Sequence, residues 1–158
     1  MSDAKPVFLL DHGRHTSLAL TTDARTVVRY SYGDRRWYAL GDTGLRSGFN
    51  ALFRDTPAVL MRVELQAAPT LDAVVRAVGI EVERAYVLMA PTQRVDALAG
   101  KLESLYRTGA GDPDARFAPH PTPYTLGYNS NHAIADWLGE LGCDVRGSRL
   151  TTDWRLAD

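Results

Sequence analysis

The run from Tyr128 to Gly142, YNSNHAIADWLGELG, limits the folding choices of this chain more than any other stretch. Ala133, Ile134, Trp137, Leu138 and Leu141 recur at i, i+1, i+4, i+5 and i+8, a stripe that predicts an amphipathic helix laid on a core. Asn129, Ser130 and Asn131 stand where an N-cap belongs, since short polar side chains accept the orphaned N–H groups of a first helical turn. Gly142 stands where a helix stops. The plain reading is a capped core helix. Its entry also has chemical value: a hydroxyl or thiol there faces unpaired N–H groups and the positive end of the helix dipole, which together stabilise an oxyanion. A nucleophile in that position needs an imidazole from elsewhere in the chain.

The rest of the chain supplies a sheet for that helix. Pro6–Leu10 is a short, fully apolar strand, Thr16–Leu20 alternates, and Thr26–Tyr32 is rich in β-formers, so residues 6–32 predict a small meander. Arg35–Leu40, with Trp37 and Tyr38, reads as irregular or one helical turn, and Leu45–Phe53 has helical spacing. Trp37, Tyr38 and Phe49 are expected to fill the core or line a cleft. Ala58–Leu65 predicts a central strand, Leu71–Val78 a helix ended by Gly79, and Tyr86–Met89 another strand. Thr92 can cap the next helix, whose stripe is Val95, Leu98, Leu102 and Leu105 and whose stop is Gly109. Four prolines among the fifteen residues Gly109–Pro123 argue for a long loop. Cys143–Leu150 predicts a last strand. The pattern is α+β, a single layer of mainly antiparallel sheet with helices packed on one side, and the length of 158 residues suits a single domain spanning residues 1–158.

Charge and composition remove several function classes. A net charge of −1, with no basic run carrying interleaved aromatics, argues against nucleic acid as a partner. The apolar patch Pro6–Leu10 is too short for a signal-peptide core or a membrane span, so the chain reads as cytoplasmic. The single cysteine, Cys143, excludes an internal disulfide and a cysteine-based zinc site. It follows the helix-ending glycine, roughly 18 Å along the helix from Ser130, and reads as a packing residue. His12-x-x-His15 on a turn, with His132 remote and no fixed carboxylate, is a poor zinc signature.

Three blocks in a fixed order carry a resemblance: His12-Gly13-Arg14-His15-Thr16 ahead of a strand, Tyr32-Gly33-Asp34 with Trp37-Tyr38 after it, and Tyr128-Asn129-Ser130-Asn131-His132 at a helix start. Their order resembles the circularly permuted branch of the papain-like fold, in which the histidine precedes the nucleophile. That branch includes NlpC-related hydrolases, PPPDE-type peptidases and lecithin:retinol acyltransferase-like proteins. Within it the chain is most similar to a bacterial family of unassigned function, which opens with His-Gly-x-His, continues with aromatic-Gly-Asp and ends on an Asn-x-Cys-Asn helix. The likeness runs from Val7 to Val145.

What the resemblance implies is a hydrolase or acyltransferase, of the cysteine-peptidase-like kind, that attacks an amide, ester or thioester carbonyl through an acyl-enzyme. Its partner is then a peptide, acyl or other carbonyl-containing substrate, and no metal or organic cofactor is implied. His15 takes the place of the catalytic histidine, and Ser130 that of the nucleophilic cysteine. The departure matters. A thiol is ionised by a nearby imidazole and a helix terminus, whereas a serine hydroxyl must pass its proton to the base during attack. Ser130 is accordingly an introduced replacement of cysteine, a natural serine variant, or the mark of lost catalysis. The last of these leaves a binding or regulatory module on the same scaffold.

The third group, which would orient the imidazole, is expected to be Asp34, with Asp11 a further option. Arg29 has no acceptor and Ser31 is a weak orienter. Asn129 and Asn131 are candidates for the oxyanion site or cleft, although Asn129 also reads as an ordinary cap. His132, about 200° round the helix from Ser130, is expected to pack or to face a loop.

Overall fold

The structure, a computed structural model, describes residues 3–13, 15–34, 58–109, 117–123, 129–146 and 155–156. Strands β1 (Ala4–Asp11), β2 (Thr16–Thr21), β3 (Thr26–Asp34) and β4 (Ala58–Gln66) follow one another as an antiparallel meander. Helix α1 (Leu71–Val78) leads to β5 (Arg84–Pro91), which returns to pair with β1. Helix α2 (Thr92–Gly109) leads to β6 (Phe117–Pro119), which adds to the opposite edge, on β4. The sheet has six strands in the order β5-β1-β2-β3-β4-β6, all antiparallel. Helix α3 (Ser130–Glu140) follows, and β7 (Val145–Arg146) pairs with β8 (Arg155–Leu156) as a separate ribbon. The α+β class and the antiparallel sheet are as expected.

The helices are not on one side. α2 and α3 cover one face, where Val95, Leu98, Leu102, Ile134, Trp137, Leu138 and Leu141 share a core with Leu9, Leu18, Leu20, Tyr30 and Tyr32. α1 covers the other face, where Val74 and Val78 pack with Phe8, Leu10, Ala19, Val27 and Leu65. The reason lies in β1. Val7 and Leu9 serve one core and Phe8 and Leu10 the other, and a strand apolar on both faces needs cover on both. Each fully buried side chain of this size stabilises the fold by about 1.5–3 kcal/mol. A polar clasp adds direction on the α2 side, where Glu103 accepts from Arg62 Nε at 2.6 Å and from the Tyr30 hydroxyl at 3.2 Å.

Other boundaries differ in instructive ways. The expected loop Gly109–Pro123 contains β6, paired through Leu60↔Ala118 and Val59↔Pro119. Thr92 begins α2 but does not cap it, because its Oγ1 is buried with no hydrogen-bond partner. The expected strand Cys143–Leu150 is paired at Val145 and Arg146, with β8 rather than with the main sheet, and residues 147–150 lie outside the described residues. So do the expected segments Arg35–Leu40 and Leu45–Phe53, with Trp37, Tyr38 and Phe49, as well as Tyr128. Among the described residues no helix is long and apolar enough to cross a membrane.

Candidate active site

The first hairpin presents the histidine block. Asp11↔Thr16 is the last strand pair, and beyond it the His12 N–H donates to the His15 carbonyl at 2.9 Å. The tight loop needs Gly13: its φ of 85° is one that side-chain-bearing residues resist, and a Cβ there would lie 2.5 Å from Glu83 Oε1. Asp11 is wholly buried and committed to this corner. It accepts from the Gly13 N–H at 2.8 Å and pairs with the Arg84 guanidinium at 3.0 Å, so its carboxylate braces the turn.

The two imidazoles of the block stack on each other, with ring centroids 4.6 Å apart. His12 Nδ1 lies 2.7 Å from the Glu81 carbonyl, which can only accept, so that nitrogen carries the proton. Nε2 then accepts from the Ser17 hydroxyl at 2.7 Å. Ser17 alternates with Thr16 and Leu18 and stands on the α1 face, as does Arg29, which lies opposite Ala19. His15 therefore heads β2 as expected, with its ring turned toward His12 on the α1 side. Burial, the neighbouring His12 and the charge of Arg29 lower its pKa to about 3, and His12 is lowered chiefly by burial. Both rings are neutral at physiological pH.

The Asn129–His132 block, at the start of α3, belongs to the other face. Asn129 caps α3, its Oδ1 accepting from the Asn131 and His132 N–H groups at 3.0 and 3.3 Å. That oxygen is an acceptor of helix N–H groups, the cap the sequence also allowed. His132 is a capping residue rather than a packing one. Its Nδ1 lies 2.9 Å from Asn129 Oδ1 and 3.3 Å from the Asn129 N–H. Protonated, it donates to the first; unprotonated, it accepts from the second, and it cannot do both. Ser130 opens the helix, 6 % exposed, and falls on the stripe of Ile134, Trp137 and Leu141 that faces the sheet. At the far end, the Gly142 N–H bonds Gly139 O and the Cys143 N–H bonds Leu138 O, a Schellman close with Gly142 at φ 92°. Cys143 packs against the α2/α3 core, and burial pushes its thiol up, away from reactivity.

One contact joins the two blocks. The Thr16 hydroxyl donates to Asn131 Oδ1 at 3.4 Å, in buried surroundings. The structure thus brings the first turn of α3 to the head of β2, next in sequence to His15, while the His15 ring itself faces the opposite side of the sheet. Asp34 closes β3 opposite Ala58. No group of three or more His, Cys, Asp or Glu side chains among the described residues is arranged to hold a metal ion.

A fourth histidine escaped the sequence reading. His120 follows β6 and meets the Tyr32 ring edge-on at 4.8 Å, on the face that carries α3. It lies in the proline-rich stretch whose composition predicts a loop. The signal that could have found it is the alternation of Ala118 and His120 about Pro119, which acquires meaning once β6 is paired with β4.

Comparison of the chain with protein-family models, with curated proteins and with solved structures finds no match.

Proposed function

We propose that the chain is a permuted papain-like scaffold of the hydrolase or acyltransferase type, in which position 130 is the nucleophile position and His15 the base. The observation that supports this reading is the Thr16–Asn131 hydrogen bond, which closes 115 positions of sequence to join the histidine block to the helix entry. Ser130 opens α3 at the positive end of the helix dipole, where charge developing on a carbonyl oxygen is stabilised, although the Asn131 and His132 N–H groups of that turn are already taken by Asn129 Oδ1. In the reaction the nucleophile adds to the carbonyl carbon, its proton passes to the imidazole, and the imidazole returns it to the leaving group. The acyl-enzyme is then released to water or to an acceptor. For His15 to serve, its ring must leave His12 and swing over the end of the hairpin.

A second reading, a binding or regulatory module on the same scaffold, is favoured by that last requirement. A ring stacked on the α1 side with a pKa of about 3 is a weak base at neutral pH. The two readings separate in a Ser130→Cys variant with Cys143→Ala to silence the other thiol. Iodoacetamide alkylation followed across pH reports the ionisation of the new thiol without any knowledge of substrate. On the catalytic reading the thiol titrates well below the free value of about 8.5, and His15→Ala moves it back up. A thiol that titrates like free cysteine and ignores His15 hands the lead to the binding module.

A further inference from the structure

β5 lies at one edge of the six-stranded sheet, and among the described residues no strand pairs with its outer side. Its eight residues meet those of β1 in unbroken succession, from Arg84↔Asp11 to Pro91↔Ala4, so no bulge twists the edge away. The run Ala85–Ala90, AYVLMA, carries neither a charge nor a proline, the residues that commonly blunt an edge. The opposite edge is protected: β6 is only three residues long and closes on Pro119. Two of the large apolar side chains exposed among the described residues are alternate residues of β5, Val87 at 46 % and Met89 at 63 %.

The backbone of β5 defines what can cover them. The Thr92 N–H donates to the Asp3 carbonyl at 3.0 Å, one step beyond Pro91↔Ala4 in the same register. Hydrogen-bonded pairs alternate along an antiparallel ladder, so Ala90, Leu88 and Tyr86 turn their N–H and C=O groups to β1. Ala85, Val87 and Met89 turn theirs outward. A row of donors and acceptors at that spacing fits another extended strand. The side chains of these three lie on the α1 face, since Val87 stands opposite Phe8 and Ala85 joins the same cluster. Tyr86, Leu88 and Ala90 lie on the α2/α3 face. Neither helix of that face shuts the edge, because α2 leaves β5 at Thr92 and crosses to β6, while α3 lies over β2 and β3.

Three outward-facing residues centred on Val87 form a pattern that matches itself. An identical strand turned about a two-fold axis at Val87 brings Val87 to Val87 and Ala85 to Met89. Each outward N–H of the three then meets an outward carbonyl. The side chains agree with this register. Met89 falls beside the small Ala85 on one face, and Tyr86 meets Leu88 on the other, an aromatic–aliphatic cross-strand pair. Arg84, which pairs with Asp11, falls opposite uncharged Ala90, so no like charges meet.

We propose that β5 is a dimerisation strand, by which two copies of this chain join β5 to β5, antiparallel, about an axis through Val87. The two sheets become one, with both α1 helices on the same face, and the dimer is independent of any chemistry at position 130.

Sedimentation of the full chain across a dilution series is expected to show a mass that rises from 17.4 kDa to twice that value. Val87→Lys sets ammonium against ammonium at the axis, and Val87→Glu sets carboxylate against carboxylate. Each is expected to weaken the dimer by about tenfold or more. The position is half exposed, so melting curves of the dilute variants should match that of the dilute parent. An equimolar mixture of the two variants is expected to regain the dimer, because opposite charges then meet, a rescue that no strand of a different protein can give. Amide exchange reads the register: Ala85, Val87 and Met89 gain protection as concentration rises, whereas Leu88 and Ala90, bonded to β1, are protected throughout. A chain that stays monomeric into the high micromolar range overturns the inference and leaves the edge to a strand of another protein. A dimer indifferent to both substitutions, a mixture that fails to recover, or protection gained away from those three amides overturns it equally.

Discussion

His15 and His12 share one corner with the buried charge of Arg29, and that arrangement has a consequence for stability. Protonating either ring would set a second positive charge beside the guanidinium, away from water. The folded His15 binds its proton near pH 3, whereas the unfolded chain binds it near 6.5. Between those values the unfolded state holds more protons, so stability falls as pH drops through the interval and is complete above it. Urea unfolding measured from pH 7 down to pH 4 is expected to show this loss, with a limiting slope of about 1.4 kcal/mol per pH unit for one such ring. His15→Gln should flatten the profile by up to that slope. The outcome that would sink this account is a profile that stays the same after the substitution, because the ring would then be solvated. The same corner explains why the site was only partly legible. His12, His15, Asn129, Ser130 and Asn131 could be singled out by residue type and order, but no sequence pattern states which face of a hairpin a ring occupies. That is decided by strand register, here by Asp11↔Thr16 and the Gly13 turn.

Among the elements, α3 depends most on one residue. Asn129 Oδ1 takes two first-turn N–H groups, and Asn129 with His132 completes a capping box. Asn129→Ala is expected to cost about 1 kcal/mol in the denaturant midpoint, and Asn129→Asp, which keeps the acceptor oxygen, much less. Equal losses in both variants would mean that the cap contributes little and the core alone holds the helix. Elements with a strong period were legible throughout: Thr16–Leu20, Thr26–Tyr32, Ala58–Leu65 and Leu71–Val78 all lie within or match observed elements. β6 was not. Three residues carry no usable period, two prolines flank or close the stretch, and the strand exists because β4 offers an unpaired edge. His120 was lost with it. Local chemistry also failed at Thr92, a residue type that favours caps but whose hydroxyl oxygen is here buried with no hydrogen-bond partner.

At the scale of the whole molecule, the sheet is a partition with different business on each side. The α1 face carries a small core and the His12–His15–Arg29 corner, and the α2/α3 face carries the larger core, the Thr16–Asn131 hydrogen bond and the Tyr32–His120 ring contact. β1 and β2 belong to both, because their alternate residues enter opposite cores. A defect on either face should therefore be felt through the shared strands as loss of the same cooperative transition. Ile134→Ala, under α3, is expected to cost about 2–5 kcal/mol from the lost contacts and the cavity left behind. Val74→Ala, under α1, removes less surface and is expected to cost about 1–3 kcal/mol. Both variants should shift one common midpoint seen alike by circular dichroism and by tryptophan fluorescence, Trp137 being buried in the α3 core. Hydrogen exchange supplies the decisive comparison. If Val74→Ala frees the amides of Leu71–Val78 while the β1 and β2 amides keep their full protection, α1 opens as a separate unit, and the two faces are not coupled through the strands they share.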